Sequence, residues 1–325
     1  MRYQVASLPI NQGIAILKIL RTCIYFLLAV IGILPANMSA FQQEFCFGVV
    51  GEYRRDSLSQ NIKIFDPPQT PVHKNHLKVE DISIWQVGLT GTYVLCDDWL
   101  VKGALNFGTV SGAKYTEKLT TIKCNCHDFT EAANNGGQTR DYLIGIGYVP
   151  CCRDCLGDLF RIGPILGWSY HYQKVKMKHG EINEIRIDVL DDFLYEMHWE
   201  GPWLGLDAEL RFCDFTINMC YEYHWARWRS NWLLDGPDVP GIAFSDHRES
   251  NNAYGQVFIL ETSLELCSCV EMGIGLKYQK WKATEGRERP VEERTEAGIS
   301  PTEIDKVRNA TWKSWGFFLD FGCFF

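Results

Sequence analysis

Residues 215–225 read FTINMCYEYHW and alternate strictly between two kinds of side chain. The odd-numbered positions are all large and apolar, namely Phe215, Ile217, Met219, Tyr221, Tyr223 and Trp225. The even-numbered positions between them are small or polar. Because successive side chains of a strand point to opposite sides, this period of two predicts a β-strand with one apolar and one polar face.

The same pattern returns along most of the chain, in segments that each contain ten or more residues. The ten predicted strands are 44–55, 80–95, 99–113, 138–149, 159–176, 194–210, 213–229, 253–266, 270–283 and 312–325. Their apolar faces carry aromatic residues near the ends, and their opposite faces carry Gly, Ser, Asn, Glu and Lys. A soluble two-sheet sandwich also alternates, but lipid–water boundaries specifically favour Trp and Tyr at both ends of the apolar stripe. We therefore predict an all-β, transmembrane, antiparallel up-and-down β-barrel of about ten strands, with twelve possible.

The connections between these segments alternate in length. The short ones lie at 96–98, 211–212 and 267–269, with a somewhat longer one at 150–158. The long ones lie at 56–79, 114–137, 177–193, 230–252 and 284–311. Outer-membrane barrels have short periplasmic turns and long external loops, so we predict the long connections to be external. Strand alternation continues to Phe325, which is similar to the terminal aromatic residue that the barrel-assembly machinery reads in bacterial barrels.

The first forty residues have a different character. They contain no Asp or Glu, and their charges are Arg2, Lys18 and Arg21. An apolar run over 23–34 is followed by Met38-Ser39-Ala40, which is close to a small-x-small cleavage pattern. A basic start, a short apolar core and a small-residue exit are typical of a secretory signal peptide. We predict a signal peptide over 1–40 and an outer-membrane barrel over 41–325, with an uncleaved anchor helix as the alternative.

Composition limits the classes of function. The 325 residues are 46% hydrophobic, 13% aromatic and 22% charged, which excludes a disordered chain. The formal net charge of −8 argues against a nucleic-acid partner. The sequence contains no glycine-rich nucleotide loop, and we predict neither a cofactor nor a metal.

Thirteen cysteines are many for a chain kept in a reducing compartment. We predict disulfides within or between molecules, with zinc binding (by Cys151, Cys152 and Cys155, or around Cys124 and Cys126) and free thiols as alternatives. Most of the cysteines map to the ends where the short turns lie. The disulfide candidates are Cys46, Cys96, Cys124, Cys126, Cys151, Cys152, Cys155, Cys213, Cys267, Cys269 and Cys323.

A cysteine-rich outer-membrane barrel with an aromatic terminal strand resembles the porin-like outer-membrane proteins of chlamydiae, especially those of amoeba-associated relatives. This resemblance implies a Gram-negative outer membrane, a disulfide-linked envelope and possible pore activity. The ten strands and the segment 203–206 also resemble omptins, outer-membrane proteases that use an acidic pair and an Asp-x-His arrangement. In this chain Asp246 and His247 are adjacent, so that they would point to opposite sides of an extended segment, and we expect no enzymatic activity.

Charged residues on the polar faces are predicted to line the lumen, because a Lys or Arg at the lipid midplane costs about 2–4 kcal/mol. The eight acidic and four basic candidates are Glu52, Arg54, Lys102, Arg161, Asp207, Glu209, Glu222, Glu261, Glu265, Glu271, Lys277 and Asp320. Small barrels have a lumen that is largely filled by side chains. We expect a structural or surface component of a disulfide-linked envelope, in contact with outer-membrane lipid and with other envelope proteins or copies of itself. A narrow cation-preferring porin and an omptin-like protease are the alternatives.

Overall fold

A computed structural model describes residues 44–66, 70–95, 99–121, 126–148, 160–182, 185–186, 193–212, 215–234, 245–267, 269–289 and 306–324. The predicted signal peptide lies outside these residues. Eleven strands are present in them, of which ten are long and one, β6, has two residues. The strands are β1 (Glu44–Asp66), β2 (Thr70–Leu95), β3 (Trp99–Thr121), β4 (Cys126–Tyr148), β5 (Phe160–Ile182), β6 (Ile185–Arg186), β7 (Phe193–Phe212), β8 (Phe215–Leu234), β9 (Ser245–Cys267), β10 (Val270–Arg289) and β11 (Lys306–Phe324).

The ten long strands form one closed antiparallel sheet. Each strand pairs with the strands before and after it in the chain, and β1 pairs with β11 to close the cylinder. The short β6 pairs with the end of β5, so that β5 pairs directly with β7. The prediction of an up-and-down β-barrel of about ten strands is therefore confirmed.

The strands are much longer than the sequence pattern predicts. Most of 56–79 and 114–137, predicted as loops, belongs to β1, β2, β3 and β4, whose connections occupy only 67–69 and 122–125. The predicted sorting into short turns and long loops is thus wrong at these two connections. Bulges contribute to the error, because the left-handed backbone at Asp81 (φ 54°) and Glu285 (φ 56°) interrupts the alternation of β2 and β10.

An apolar belt surrounds one half of the barrel. Its outward side chains are well exposed, among them Ile144 (61%), Leu166 (55%) and Leu276 (52%). The belt begins at the end with the connections 96–98, 213–214 and 268–269, which we assign to the periplasm because the longest connections, 235–244 and 290–305, are at the opposite end. These exposed side chains lie on the apolar strand faces that the sequence pattern predicts to contact lipid.

The other half of the barrel projects beyond the belt. The 23 residues of β1 extend roughly 55–60 Å along the axis when strands tilt by about 40°, whereas the lipid-facing band of such barrels is about 25 Å tall. In this projecting half the two faces exchange character. Leu58 and Leu77 point inward and are buried, whereas Ser57 and Lys78 on the same strands are partly exposed. Within the described residues there is no α-helix with the length and hydropathy needed to cross a bilayer.

Candidate functional site in the lumen

The interior of the barrel is divided into three zones along its axis. A cavity of about 430 Å³ occupies the periplasmic half, with Cys46 and Phe324 at its rim. A layer of buried charges lies above the cavity, and a layer of buried aromatic side chains lies beyond it.

Carboxylates dominate the wall of the cavity. Ten of the twelve predicted lumen residues line it, namely Glu52, Lys102, Arg161, Asp207, Glu209, Glu222, Glu261, Glu271, Lys277 and Asp320. Glycines on the same faces make room for these side chains, since a Cβ at Gly273 would lie 2.6 Å from Glu261 Oε1 and 2.7 Å from Asp320 Oδ1. Of the remaining two candidates, Arg54 is fully buried above the cavity and Glu265 is exposed.

One group of lumen charges joins β3, β7 and β8. The Lys102 ammonium donates to Asp207 Oδ2 at 2.9 Å and lies 3.7 Å from Glu222 Oε1. The same ammonium stands 5.3 Å from the centre of the Trp203 ring. Because β4 and β5 lie between β3 and β7 in the sheet, the Lys102–Asp207 contact runs through the interior and ties two separate parts of the wall together.

A second group centres on Arg54, which has no exposed side-chain surface. Its guanidinium donates to Asp141 Oδ2 at 2.6 Å and to Asp56 Oδ2 at 3.1 Å. Gln86 donates 2.8 Å hydrogen bonds to Asp141 Oδ2 and to Thr139 Oγ1. One cation thus pairs with two buried carboxylates. A buried charged group needs a partner of opposite charge if it is to remain ionised.

Two histidines extend this polar layer to β5 and β8. His171 Nδ1 lies 3.0 Å from Asp141 Oδ1, so the ring belongs to the Arg54 group. His224 Nδ1 lies 2.9 Å from Ser169 Oγ, and its Nε2 lies 3.0 Å from Glu222 Oε2. The resulting Ser–His–Glu chain is buried, with His224 fully inaccessible. The Ser–His–Glu chain orients Glu222 toward Lys102. The ring contact between His171 and His224, with centroids 6.2 Å apart, connects the two groups of charges.

The aromatic layer is built from tryptophans that point inward. Trp281 and Trp312 stack with centroids 5.8 Å apart, and Trp199 packs 5.7 Å from Trp281 and 6.1 Å from Trp228. All four rings are at most 1% exposed. Buried aliphatic side chains of β1, β2, β3, β5 and β7 continue the packing toward the extracellular end. We call these four rings the aromatic plug.

The local sequence explains how such large rings fit inside a ten-stranded barrel. Trp281 lies directly across from Gly255, where a Cβ would come within 2.4 Å of the indole. Below the plug, Trp203 covers Gly167, where a Cβ would lie 2.5 Å from the ring. Inward glycines therefore create the space that inward tryptophans fill.

The plug and the partners of the charges were not predicted. Large aromatic residues were assigned to the lipid face, so Trp199, Trp228, Trp281 and Trp312 were missed. A usable signal existed, because the parity of each strand places these tryptophans on the same side as neighbouring glycines and lumen charges, as with Lys277, Trp281 and Gly273 on β10. Asp56, Asp141 and His171 carried the same parity signal and were also missed.

The cysteines that the structure describes lie mostly at the periplasmic rim. Cys46, Cys267, Cys269 and Cys323 are free thiols, and the Sγ atoms of the exposed Cys267 and Cys269 are 3.7 Å apart. Cys220, also free, lines the cavity. Cys96, Cys124, Cys151, Cys152, Cys155 and Cys213 lie outside the described residues, as does the side chain of Cys126. In the described part of the chain, no group of three or more His, Cys, Asp or Glu side chains is arranged to hold a metal ion.

Asp246 and His247, the residues considered for protease chemistry, lie near the start of β9. They pair in register with Trp232 and Asn231, respectively. His247 Nδ1 lies 2.5 Å from Asn231 Oδ1. His247 belongs to neither the Lys102 group nor the Arg54 group of lumen charges.

Comparison with known proteins agrees with this architecture. A family model described as "Pom: Protochlamydia outer membrane protein" matches residues 48–325. No curated protein sequence matches the chain significantly. The crystal structure of the outer membrane protease OmpT from Escherichia coli is similar with a TM-score of 0.62 at 10% identity, covering 88% of this chain and 99% of that chain. The outer membrane protein OprG from Pseudomonas aeruginosa matches at 12% identity with a TM-score of 0.32, covering 87% of this chain and 95% of that chain. At such identities the likeness to OmpT concerns the fold alone.

Proposed function

The chain belongs to the Protochlamydia outer membrane protein family, and we propose that its barrel is a sealed surface component of the outer membrane rather than a conduit. The observation that carries this proposal is the aromatic plug. Its four rings fill the cross-section just beyond the apolar belt, and the two charge groups beneath it are held by ion pairs that cross the lumen. Because all four rings are at most 1% exposed, their packing supports a lumen closed to hydrated solutes.

Planar-bilayer recording of the full chain tests the sealed lumen. The wild-type barrel should be electrically silent, whereas the double variant Trp281→Ala, Trp312→Ala should show conductance steps because it removes the two stacked rings. Trp315→Ala is the matched control, since Trp315 is 63% exposed on the outer wall and its loss should leave the barrel silent. Conductance steps from the wild-type protein would contradict the proposal.

The carboxylate-lined cavity favours one alternative, a narrow cation-preferring porin. Its wall contains Glu52, Glu261, Glu271 and Asp320, and among the described residues eight carboxylates line it against the four cations Lys102, Arg161, Arg211 and Lys277. A porin needs the plug to move aside. Wild-type conductance that favours K⁺ over Cl⁻ would support this alternative, and the same recording therefore decides between the two functions.

We further propose that the rim thiols link the barrel to neighbouring envelope proteins. Cys267 and Cys269 are exposed beside the β9–β10 turn, where they face the periplasm, an oxidising compartment in which disulfides persist. Cys323 lies on the adjoining strand, opposite Val270. These positions support contacts between molecules better than a bond within the barrel wall.

Electrophoresis of isolated envelopes without reductant tests the linkage. The protein should migrate in high-mass bands that collapse on reduction, and Cys267→Ser combined with Cys269→Ser should weaken those bands. Cys220→Ser is the control, because that thiol faces the cavity. Migration of the wild-type protein as a monomer would rule the linkage out.

A further inference from the structure

Positive side chains surround the barrel just beyond the apolar belt, and several of those described are held by carboxylates. These outward-facing ion pairs have distances between 2.6 and 3.0 Å. They are Arg55–Asp81, Lys174–Glu196, Arg227–Glu249 and Arg229–Glu200. At these four places the outer wall of this acidic protein neutralises its cations.

Three lysines on β10 and β11 lie close together without such a partner among the described residues. Lys280 lies directly opposite Lys313 in register, and Lys282 follows on the same outward face. Lys280 and Lys313 are exposed, and Lys282 is partly buried. Within the described residues, none of the three makes an ion pair or a side-chain hydrogen bond. We call them the lysine patch.

Among the described residues of the flanking strands, no acidic side chain lies opposite the lysine patch in register. Across β9, Lys280 pairs in register with Gln256 and Lys282 with Tyr254. Across β1, Lys313 pairs with Ser57. Like charges that face each other across two strands are destabilising. The patch therefore concentrates positive charge, and the described side chains opposite it in register are not acidic.

An aromatic pair fixes the depth of the lysine patch in the membrane. Tyr278 and Trp315 lie directly opposite each other, with ring centroids 4.5 Å apart, two residues closer to the belt than Lys280 and Lys313. Trp315 is 63% exposed. Trp and Tyr mark the lipid–water boundary of membrane proteins. Two residues of strand add about 7 Å, which places the ammonium groups at the level of the lipid headgroups.

We propose that the lysine patch binds the headgroup of an anionic, phosphate-bearing lipid of the outer leaflet. The phosphate contacts Lys280, Lys282 and Lys313, and the acyl chains lie against Trp315 and Tyr278. Basic clusters at headgroup depth attract anionic lipids, and ammonium–phosphate contacts are strong because both groups are charged. The bound phosphate relieves the repulsion between Lys280 and Lys313. This inference does not depend on whether the lumen conducts.

Quenching of Trp315 by brominated lipid tests the lysine patch. The full chain is folded in phosphatidylcholine vesicles that contain increasing fractions of dibrominated phosphatidylglycerol, with dibrominated phosphatidylcholine as the neutral comparison. The difference between wild type and Trp315→Phe isolates the signal of Trp315. The test variant is Lys280→Gln, Lys282→Gln, Lys313→Gln. The matched control changes three exposed lysines on other strands to Gln, namely Lys74, Lys118 and Lys176. Heat-dependent gel mobility verifies that each variant is folded.

The wild-type protein should favour the anionic lipid over the neutral one, and the preference should fall by about fivefold for each patch lysine removed. The control variant should retain the wild-type preference. Equal quenching by both lipids in the wild type, or an unchanged preference in the patch variant, would overturn the proposal. Displacement of the brominated lipid by excess inorganic phosphate would also overturn it, because that result assigns the patch to a free anion.

Discussion

Replacing Arg54 by Met should destabilise the barrel far more than replacing its neighbour Arg55. Arg54 points inward and its side chain is fully buried between Asp56 and Asp141, at 3.1 and 2.6 Å. Arg55 points outward, with 61% of its side chain exposed beside Asp81, of which 65% is exposed. The two substitutions remove the same group one residue apart, so the comparison isolates the effect of burial.

The magnitude follows from what each substitution leaves behind. Without Arg54, two buried carboxylates lose their cation, and breaking a buried pair in this way costs about 3–5 kcal/mol. Losing Arg55 removes an exposed pair, which contributes about 0–1 kcal/mol. Arg54→Lys keeps the charge but loses the planar fork that reaches both Asp56 and Asp141, so we expect a smaller loss than for Arg54→Met.

Urea titration of the barrel folded in lipid vesicles, followed by tryptophan fluorescence, measures these free energies of unfolding. Adding Asp141→Asn to Arg54→Met should recover part of the loss, because one of the two stranded carboxylates is neutralised. Equal destabilisation by Arg54→Met and Arg55→Met would refute the assignment of Arg54 to the interior and of Arg55 to the outer wall.

Two further predictions concern the wall of the barrel. Gly167→Ala should destabilise it by about 1–3 kcal/mol, because the new Cβ would meet Trp203 at 2.5 Å, whereas Gly51→Ala, with open space around the Cβ, should be nearly neutral in the same urea titration. Burial raises the pKa of Glu196, but the hydrogen bond and charge of Lys174 outweigh burial and lower it overall. The Lys174–Glu196 pair, beyond the apolar belt, should therefore stabilise the barrel fully above the unfolded pKa of about 4.3 and lose this effect as the pH falls through the lower folded pKa. A double-mutant cycle with Gln at both positions should give a coupling of about 0.5–1 kcal/mol at neutral pH, and a coupling that persists unchanged at pH values below the folded pKa would contradict the pairing.

The membrane-embedded half of the barrel could be predicted because two solvents act on its strands. Hydrocarbon outside and a polar lumen inside force large apolar and polar residues to alternate, as they do over 215–225. Beyond the belt, water surrounds the wall and the interior is apolar, so the alternation reverses. The segments HLKV (76–79) and KVKM (174–177) show this reversed pattern, with Val79, Val175 and Met177 buried. The first of these segments lies in the predicted loop 56–79, because an apolar interior with a polar exterior lacks the pattern expected of a membrane-embedded strand.

The interior was only partly predictable for a different reason. Parity along a strand identifies which charges point inward, and this sufficed for residues such as Lys102 and Asp207. It does not identify partners across the lumen, since Arg54 and Asp141 are 87 residues apart in the chain and lie on strands that do not pair. The plug escaped prediction because a tryptophan satisfies either face, and only the packing of opposite walls decides between them.

The native thiol of Cys220 offers the most direct measurement of whether the lumen is sealed. This side chain lines the cavity beneath the plug, 3.6 Å from Lys102 Nζ. In oriented proteoliposomes that contain a variant with every other cysteine changed to Ser, a membrane-impermeant thiol reagent is added to one side at a time. We expect Cys220 to be labelled from the periplasmic side and protected from the extracellular side. Labelling from the extracellular side at a comparable rate would contradict the sealed barrel.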